Sequence, residues 1–214
     1  MSPIQAKICG VTTPEAIAAA LAGGATHLGF VFVSKSPRFI APEKAAALIG
    51  SLPSHVKSVG LVVDQSDDQI ADLLRLIPQL DALQFHGAEQ PAQIARWKAP
   101  GREIWKAIPI RTAADLAPAK AYQGTADHLL YDAKPPKSTD LPGGTGQRFD
   151  WTILQGAPHP LPWLLAGGLD STNVAEAHQV TGARFFDVSS GVESAPGIKD
   201  VDKIAAFLKA TRSL

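Results

Sequence analysis

The sequence predicts an α/β fold, a single (β/α)8 or TIM barrel formed by one domain over residues 1–214. Short β-branched and apolar runs alternate with Ala- and Leu-rich segments of helical period, which is typical of a parallel sheet covered by helices. Eight such runs occur, and their ends lie 22 to 34 residues apart, enough for one strand, one helix and two short loops. A doubly wound open sheet would show the same alternation but usually has fewer strands, so we favour the closed barrel.

Several of the predicted strands end on polar residues. Active sites of such barrels lie on the face formed by the C-terminal ends of the strands, so each of these ends is a candidate position for chemistry. The strands are predicted over Lys7–Val11, His27–Val33, Val59–Asp64, Ala82–His86, Glu103–Ile108, His128–Asp132, Trp163–Ala166 and Phe185–Val188.

Helix start signals stand between the predicted strands, and we expect eight helices. In the first, Thr12 or Thr13 can cap the helix and Pro14 can take the first helical position, where its missing N–H is no loss. The third begins after Ser66, a favourable cap, and ends before Pro78. One face of that helix carries apolar side chains at helical spacing, namely Ile70, Leu73, Leu74 and Ile77.

A long segment without periodicity follows the sixth strand. Residues 133–150 contain three prolines and three glycines and show neither a helical nor an alternating pattern. Structureless loops of this length are usually functional or disordered. Because this one leaves the C-terminal end of a strand, we interpret it as a lid over bound substrate.

The charge composition indicates a small-molecule partner. The chain carries 20 Lys and Arg against 20 Asp and Glu, with no run of like charges. Nucleic-acid binding draws mainly on basic side chains that neutralise phosphates, so a neutral chain argues against a nucleic-acid or membrane partner recognised through a basic face. The oligomeric state stays open between a monomer and a homodimer.

The single cysteine, Cys9, argues against an internal disulfide framework and a multi-cysteine metal cluster. The histidines lack the HxxxH spacing of a metal-binding helix, so we expect no metal. No stretch of signal-peptide or membrane-helix length is present. A lone thiol suits a reducing compartment, and we expect a cytoplasmic protein.

Alternation along the strands directs a group of polar side chains into the barrel mouth. A buried polar group without a partner costs about 1 to 3 kcal/mol, so this accumulation requires either mutual pairing or a ligand. A salt bridge between Lys7 and Asp187 is the structural alternative to a substrate-binding role for Asp187, and His86 either lines the site or supports it. The group comprises Lys7, Cys9, Gln84, His86, Asp132, Asp187 and Ser189.

Cys9 and Asp132 are the candidate proton-transfer groups. Cys9 ends a strand just before a helix start, where the helix N-terminus and Lys7 would lower the pKa of the thiol and favour a proton-abstracting thiolate. Asp132 stands directly before the long loop and could be its acidic counterpart across the mouth. The alternatives are a small buried apolar side chain at Cys9 and a turn cap at Asp132.

Three glycine-rich segments, which follow strands six, seven and eight, indicate a phosphate site. Barrels of this kind often bind phosphate through backbone N–H groups after strands seven and eight, although a glycine after a strand can simply permit a tight turn. The candidate phosphate-binding residues are Gly144, Gly146, Gly167, Gly168, Ser190 and Gly191. A phosphorylated substrate follows from their positions.

Arg38, which follows the second strand, could bind a substrate carboxylate in a two-pronged contact. The alternative is a solvated loop arginine. No GxGxxG follows the first strand and no GxxxxGK[ST] occurs, so dinucleotide-binding and P-loop interpretations lack their phosphate cradles.

Segments along nearly the whole chain resemble the phosphoribosylanthranilate isomerase family. In order they read KICG from Lys7, LGFVF from Leu28 followed by SPR, LQFHG from Leu83, LLYDAK from Leu129, GGTGQRFDW from Gly143, LAGGL from Leu165 and DVSSGVESAPGIKD from Asp187. The opening KICG together with the closing DVSSGVE is highly specific. Residues 138–141 lengthen the long loop relative to shorter members of the family.

The resemblance implies the Amadori rearrangement of N-(5-phosphoribosyl)anthranilate to 1-(2-carboxyphenylamino)-1-deoxyribulose 5-phosphate in tryptophan biosynthesis, without a cofactor. It makes Asp132 the general acid for ring opening and Cys9 the general base that removes the proton from sugar C2. It assigns Arg38 to the anthranilate carboxylate and the glycine loops to the phosphate. Whether the related histidine-pathway substrate is also accepted stays open.

At neutral pH an unperturbed carboxyl is ionised and an unperturbed thiol is protonated. Each of the two groups is therefore ordinarily in the wrong protonation state for its role. We expect burial to favour the neutral acid at Asp132, and the helix N-terminus with Lys7 to favour the thiolate at Cys9. The competing interpretations are another phosphosugar barrel enzyme, such as a ribulose-phosphate epimerase or indole-glycerol-phosphate synthase, and a non-catalytic phosphate-binding protein.

Overall fold

The computed structural model describes residues 3–134 and 148–214, and its eight parallel strands close into a barrel. Closure joins β8 to β1, so the open-sheet alternative is wrong and the predicted fold class is confirmed. Each predicted strand is present, with ends within two residues of the prediction. The strands are β1 Gln5–Cys9, β2 His27–Val31, β3 Lys57–Val62, β4 Ala82–Phe85, β5 Glu103–Ile110, β6 His128–Ala133, β7 Trp163–Leu165 and β8 Phe185–Val188.

Helices cover the outside of the barrel, and the predicted caps are confirmed. The Thr13 side chain accepts from the backbone N–H of Ala16 at 3.3 Å, and Ser66 forms a reciprocal capping box with Gln69. The described residues contain no helix long and apolar enough to cross a membrane. The α-helices are α1 Pro14–Gly23, α2 Pro42–Gly50, α3 Asp67–Leu76, α4 Pro91–Ala95, α5 Val174–Thr181 and α6 Val201–Arg212.

Two crossovers differ from the expected eight helices. Between β5 and β6 the chain forms a 3-10 helix over Ala113–Tyr122, which contains Pro118. Proline has no N–H to donate inside an α-helix and its ring clashes with the preceding turn, so an α-helix is disfavoured there. Between β6 and β7 the described residues form a four-residue 3-10 turn, Trp151–Leu154.

The segment after β8 holds elements that the sequence pattern did not predict. A 3-10 turn, Ser190–Val192, leads into an antiparallel pair formed by β9 Glu193–Ala195 and β10 Ile198–Lys199. These elements are too short to show a period of their own. They lie at the same end of the barrel as the C-terminal ends of the strands, because they directly follow β8.

The N-terminal end of the barrel is closed by packed rings. The His27 ring lies 4.7 Å from Phe185 and 5.3 Å from Trp105, measured between ring centroids, and all three residues are buried. Burial, with a smaller contribution from the charge of Lys7, lowers the pKa of His27 to about 4. The folded barrel therefore holds this histidine neutral at pH values where a free histidine is charged.

We expect acid to weaken the barrel through His27. Below pH 6.5 the unfolded chain binds a proton that the folded protein takes up only near pH 4, so stability is lost between those values, by about 3 kcal/mol for this group. Urea unfolding at a series of pH values should show a flatter pH dependence for His27→Gln than for the wild type. His55→Gln, at an exposed loop position, is the control. Equal slopes for the wild type and His27→Gln would contradict the assignment.

Candidate active site

A buried ion pair joins β1 to β8 inside the barrel. The two strands pair with Lys7 opposite Asp187, and Lys7 Nζ lies 2.9 Å from Asp187 Oδ1. Burial alone would lower the pKa of Lys7, but the charges of Asp187 and Cys9 outweigh it and raise the pKa above its ordinary value. The predicted salt bridge is present, so one oxygen of Asp187 is already engaged by the protein.

Cys9 ends β1 two residues beyond Lys7, on the same face of the strand, and is 4% exposed. Burial raises the pKa of the thiol, Lys7 and Lys199 lower it, and the carboxylate of Asp187 raises it. The net direction is upward, so the expectation of a depressed pKa is wrong. The reason is that loss of hydration on burial outweighs the two ammonium groups. The protonated thiol is therefore favoured in the free protein at neutral pH.

Space for the thiol comes from the neighbouring strand. Gly29 of β2 lies opposite Cys9, and a Cβ built on Gly29 would stand 2.9 Å from Cys9 Sγ and 3.0 Å from Lys7 Cε. A side chain at this position would therefore displace both groups.

Asp132, at the end of β6, contacts His86 rather than standing alone. His86 Nε2 lies 3.2 Å from Asp132 Oδ2, and the His86 Nδ1 atom lies 3.0 Å from Gln84 Nε2. The other Asp132 oxygen, Oδ1, accepts from the backbone N–H of Ala133 at 2.8 Å. The sequence left His86 undecided between lining and supporting the site, and the geometry makes it a support for Asp132 while it also borders the mouth.

Arg38 is 6% exposed, which excludes the solvated loop arginine. Its Nε and Nη2 atoms donate to the two carboxylate oxygens of Glu193 at 2.7 and 2.8 Å, which makes a bidentate ion pair. The side chain also lies over Gly10, where an added Cβ would stand 2.8 Å from Arg38 Cδ. Arg38 is thus held directly beside the residue that follows Cys9.

Two charged residues of the site were missed by the sequence analysis. Glu193 and Lys199, on β9 and β10, form an ion pair of 2.7 Å with side chains 4% and 2% exposed. Both lie within the quoted segment DVSSGVESAPGIKD, but nothing in its spacing indicates that Glu193 meets Arg38, 155 residues away along the chain.

The glycine segments after β7 and β8 meet each other. Gly167 and Gly168 have φ angles of 86° and 66°, a region that side chains rarely adopt. A Cβ on Gly191 would fall on the carbonyl oxygen of Leu169, so the two loops approach as bare backbone, and Ser190 opens the 3-10 turn beside them. Gly144 and Gly146, the other phosphate candidates, and most of the predicted lid lie outside the described residues.

Metal-ligating side chains are not clustered in the described part of the chain, where no three His, Cys, Asp or Glu residues stand close enough to hold an ion. The chemistry that the site itself offers is proton transfer. A thiol and a carboxyl occupy one barrel mouth, beside a buried arginine and two backbone loops.

Comparison with known proteins identifies relatives over the full chain. The family model for N-(5'-phosphoribosyl)anthranilate (PRA) isomerase matches residues 6–210. The N-(5'-phosphoribosyl)anthranilate isomerase of Zymomonas mobilis subsp. mobilis is 50% identical over 215 residues, which cover 99% of each chain. That of Rhodospirillum centenum is 49% identical, over 99% of this chain and 100% of the relative.

Solved structures with the same name are similar in fold. Phosphoribosyl anthranilate isomerase from Thermotoga maritima superposes with a TM-score of 0.87 at 34% identity, over 99% of this chain and 100% of that one. A phosphoribosyl anthranilate isomerase in complex with reduced 1-(o-carboxyphenylamino)-1-deoxyribulose 5-phosphate gives 0.84 at 33% identity, with the same coverage.

Gly29→Ala should disturb the site from a neighbouring strand. The new methyl group would press on the thiol of Cys9 and the stem of Lys7, so we expect a loss of about 1 to 3 kcal/mol in the free energy of unfolding. Urea denaturation measures this loss. The matched control is Gly50→Ala at the end of α2, where an added Cβ has no neighbour within 4 Å among the described residues, and which should be neutral or slightly stabilising. Equal effects of the two substitutions would argue against close packing at Gly29.

Proposed function

The chain belongs to the N-(5'-phosphoribosyl)anthranilate isomerase family, and we propose that Cys9 and Asp132 are the proton-transfer pair with which it acts. Its reaction is the Amadori rearrangement of N-(5'-phosphoribosyl)anthranilate to 1-(2-carboxyphenylamino)-1-deoxyribulose 5-phosphate in tryptophan biosynthesis. The observation that carries the assignment is that a buried thiol and a carboxyl, at the ends of β1 and β6, face one barrel mouth. The proposed steps are proton transfers that these two side chains can perform, and the proposal includes no cofactor.

Asp132 is the general acid of the proposal. It would protonate the ring oxygen of the ribose, so that the ring opens to a Schiff base between the sugar and the anthranilate nitrogen. Its contact with His86 supports this role, because His86 holds the carboxyl in place.

The orientation of the Gln84 amide bears on the state of His86. With Nε2 of Gln84 toward the ring, His86 carries its proton on Nε2 and donates to the Asp132 carboxylate. The opposite orientation would turn Gln84 Oε1, which is buried without a partner among the described residues, toward a proton on His86 Nδ1. His86 Nε2 would then accept from a protonated Asp132, the form that a general acid requires.

Cys9 is the general base. It would remove the proton from C2 of the Schiff base, and the resulting enolamine tautomerises to the ketone. Because burial raises the pKa of the thiol, the reactive thiolate is a minor form of the free protein at neutral pH. A base of raised pKa is also a stronger proton acceptor once it is formed.

Arg38, Asp187 and His86 are proposed to hold the substrate between these two groups. The ion pair with Glu193 fixes the plane of the Arg38 guanidinium. A substrate carboxylate would meet the same plane. Asp187 is held by Lys7 and would offer its carboxylate to the sugar hydroxyl groups.

The phosphate is proposed to bind to the backbone of the loops after β6, β7 and β8, through Gly144, Gly146, Gly167, Gly168, Ser190 and Gly191. Support comes from the close approach of the two described loops and from the left-handed conformation of Gly167 and Gly168. Backbone N–H groups can bind phosphate directly, without a side chain, which suits two loops that approach each other this closely.

Location and assembly are also proposals. A cytoplasmic enzyme fits the single free thiol. The partner we propose is the small phosphosugar-anthranilate substrate, with no nucleic acid and no membrane. The proposal includes both a monomer and a homodimer. A similar structure from Thermotoga maritima is described as monomers generated from a dimeric phosphoribosylanthranilate isomerase.

The test is the decay of phosphoribosylanthranilate fluorescence, with the substrate generated in situ. We expect rapid decay with the wild type and a loss of at least about 10²-fold in kcat for Cys9→Ser and for Asp132→Asn, because positioned proton transfer typically contributes 10² to 10⁴. The wild-type kcat/KM should rise with pH above neutrality, since the base loses its proton only at a raised pKa. Circular dichroism controls for folding.

The outcomes separate the alternatives. Equal decay with all three proteins would leave the family activity in place and reject Cys9 and Asp132 as its proton-transfer pair. Binding of the substrate by the wild type without turnover would favour the non-catalytic phosphate-binding protein. Activity that vanishes on exhaustive dialysis against a chelator would overturn the cofactor-free mechanism.

A further inference from the structure

The carboxylate of Glu193 is shared between two cations. Besides the two bonds from Arg38, its Oε1 accepts from Lys199 Nζ at 2.7 Å, and its Oε2 accepts from the backbone N–H of Gly197 at 3.3 Å. All of these groups come from the loops on the C-terminal face of the barrel. Glu193 therefore connects the arginine after β2 to the short hairpin after β8.

Lys199 continues the connection toward the thiol. Its Nζ donates to the carbonyl oxygen of Ser189 at 2.9 Å and contacts Ser189 Oγ at 3.3 Å. The hydroxyl of Ser189 donates in turn to the carbonyl oxygen of Cys9 at 3.1 Å. A continuous series of hydrogen bonds thus runs from Arg38 through Glu193, Lys199 and Ser189 to the peptide of Cys9.

We propose that Glu193 and Lys199 are a pair of positioning residues, in which Glu193 orients Arg38 toward the substrate carboxylate and Lys199 holds Ser189 against the Cys9 peptide. This inference rests on the proposed function, because it gives Arg38 and Cys9 the roles assigned there. Neither Glu193 nor Lys199 touches the reacting atoms in it. Their effect passes through Arg38, which holds the substrate carboxylate, and through Cys9, which removes the proton.

Lys199 also has an electrostatic effect on Cys9. The charged groups that act on the thiol are Lys7 of β1, Asp187 of β8 and Lys199 of β10. The β2 residues beside it, Gly29 and Val31, are uncharged. Lys7 and Asp187 form an ion pair with each other and largely offset one another. Lys199 lowers the pKa of Cys9 against the effect of burial, so its removal should leave the thiol harder to ionise.

A purely structural role would not need these residues at these positions. The hairpin is also held by the β9 and β10 ladder and by Lys203, whose Nζ donates to the carbonyl oxygen of Glu193 at 2.7 Å. Buried ion pairs are in general weak contributors to net stability, so stability alone does not account for this pair. Lys106 and Glu89, with side chains 3% and 6% exposed, form a comparable pair near β4 and β5. This pair provides a matched control, because the other hydrogen bonds of Lys106 go to the carbonyl oxygens of Phe85, Gly87 and Ala107.

The first arm of the test follows the thiolate, and it needs no substrate. Cys9 is the only cysteine of the chain, so the absorbance of a thiolate near 240 nm, measured against pH with Cys9→Ser as the blank, reports on this residue alone. Lys199→Met should move the titration of Cys9 to higher pH, by about half a unit or more, and Lys199→Arg should move it less because the charge is kept. Lys106→Met should leave it unchanged.

The second arm separates binding from chemistry in the intact enzyme. Glu193→Gln should raise KM for phosphoribosylanthranilate by about tenfold, with kcat changed by less than about threefold, because it loosens the arginine that holds the carboxylate. In an Arg38→Gln background the same substitution should raise KM no further, since the two act as one unit. Lys199→Met should shift the rising limb of kcat/KM to the same extent as the thiolate titration.

Each outcome of these two arms either supports or rejects the positioning role of Glu193 and Lys199. If Lys199→Met and Glu193→Gln lower the thermal midpoint as Lys106→Met does and leave both the titration and KM unchanged, the pair is structural and the proposal fails. If Lys199→Met does not fold, Lys199→Gln retains hydrogen bonding without the charge and gives the same test. A wild type that binds but does not convert the substrate would sink the proposed function, whereas the titration would still support or reject Lys199 as the residue that holds the thiol.

Discussion

The ion pair between Lys7 and Asp187 is the interaction on which the rest of the site depends. It joins the first and last strands of the barrel at the point where the sheet closes, with both residues paired in register and removed from water. Breaking such a pair would leave an uncompensated charge in the interior, which is far more costly than the pair itself is favourable. The same two charges act on the thiol of Cys9, so closure of the barrel and ionisation of this thiol are physically linked.

The site divides its work between strands and loops. The proposed proton-transfer groups, Cys9 and Asp132, stand at the ends of strands whose positions the closed sheet determines, which suits chemistry that tolerates little displacement. The expected anion contacts come from loop backbone at Gly167, Gly168 and Gly191 and from the arginine after β2. Because Arg38 is already bound to Glu193, its guanidinium is oriented before any ligand arrives, and less freedom is lost on binding.

Burial has opposite consequences for different parts of this arrangement. It raises the pKa of the thiol and so opposes its ionisation, yet it also strengthens the influence of each neighbouring charge, because a low-dielectric interior screens little. That is why a single ammonium group such as Lys199 matters to Cys9. On an exposed surface the same charge would be largely screened.

The sequence by itself determined the eight strands, their inward phase and the convergence of Lys7, Cys9, His86, Asp132 and Asp187 on one face, because these follow from a period of two along each strand and from regular spacing. Local chemistry likewise determined the caps at Thr13 and Ser66. Only the tertiary structure decided that Arg38 meets Glu193, that His86 supports Asp132 and that burial outweighs Lys7 at the thiol. Each of these depends on contacts between distant segments and on the loss of hydration when those groups are buried. Neither produces a periodic pattern in the sequence.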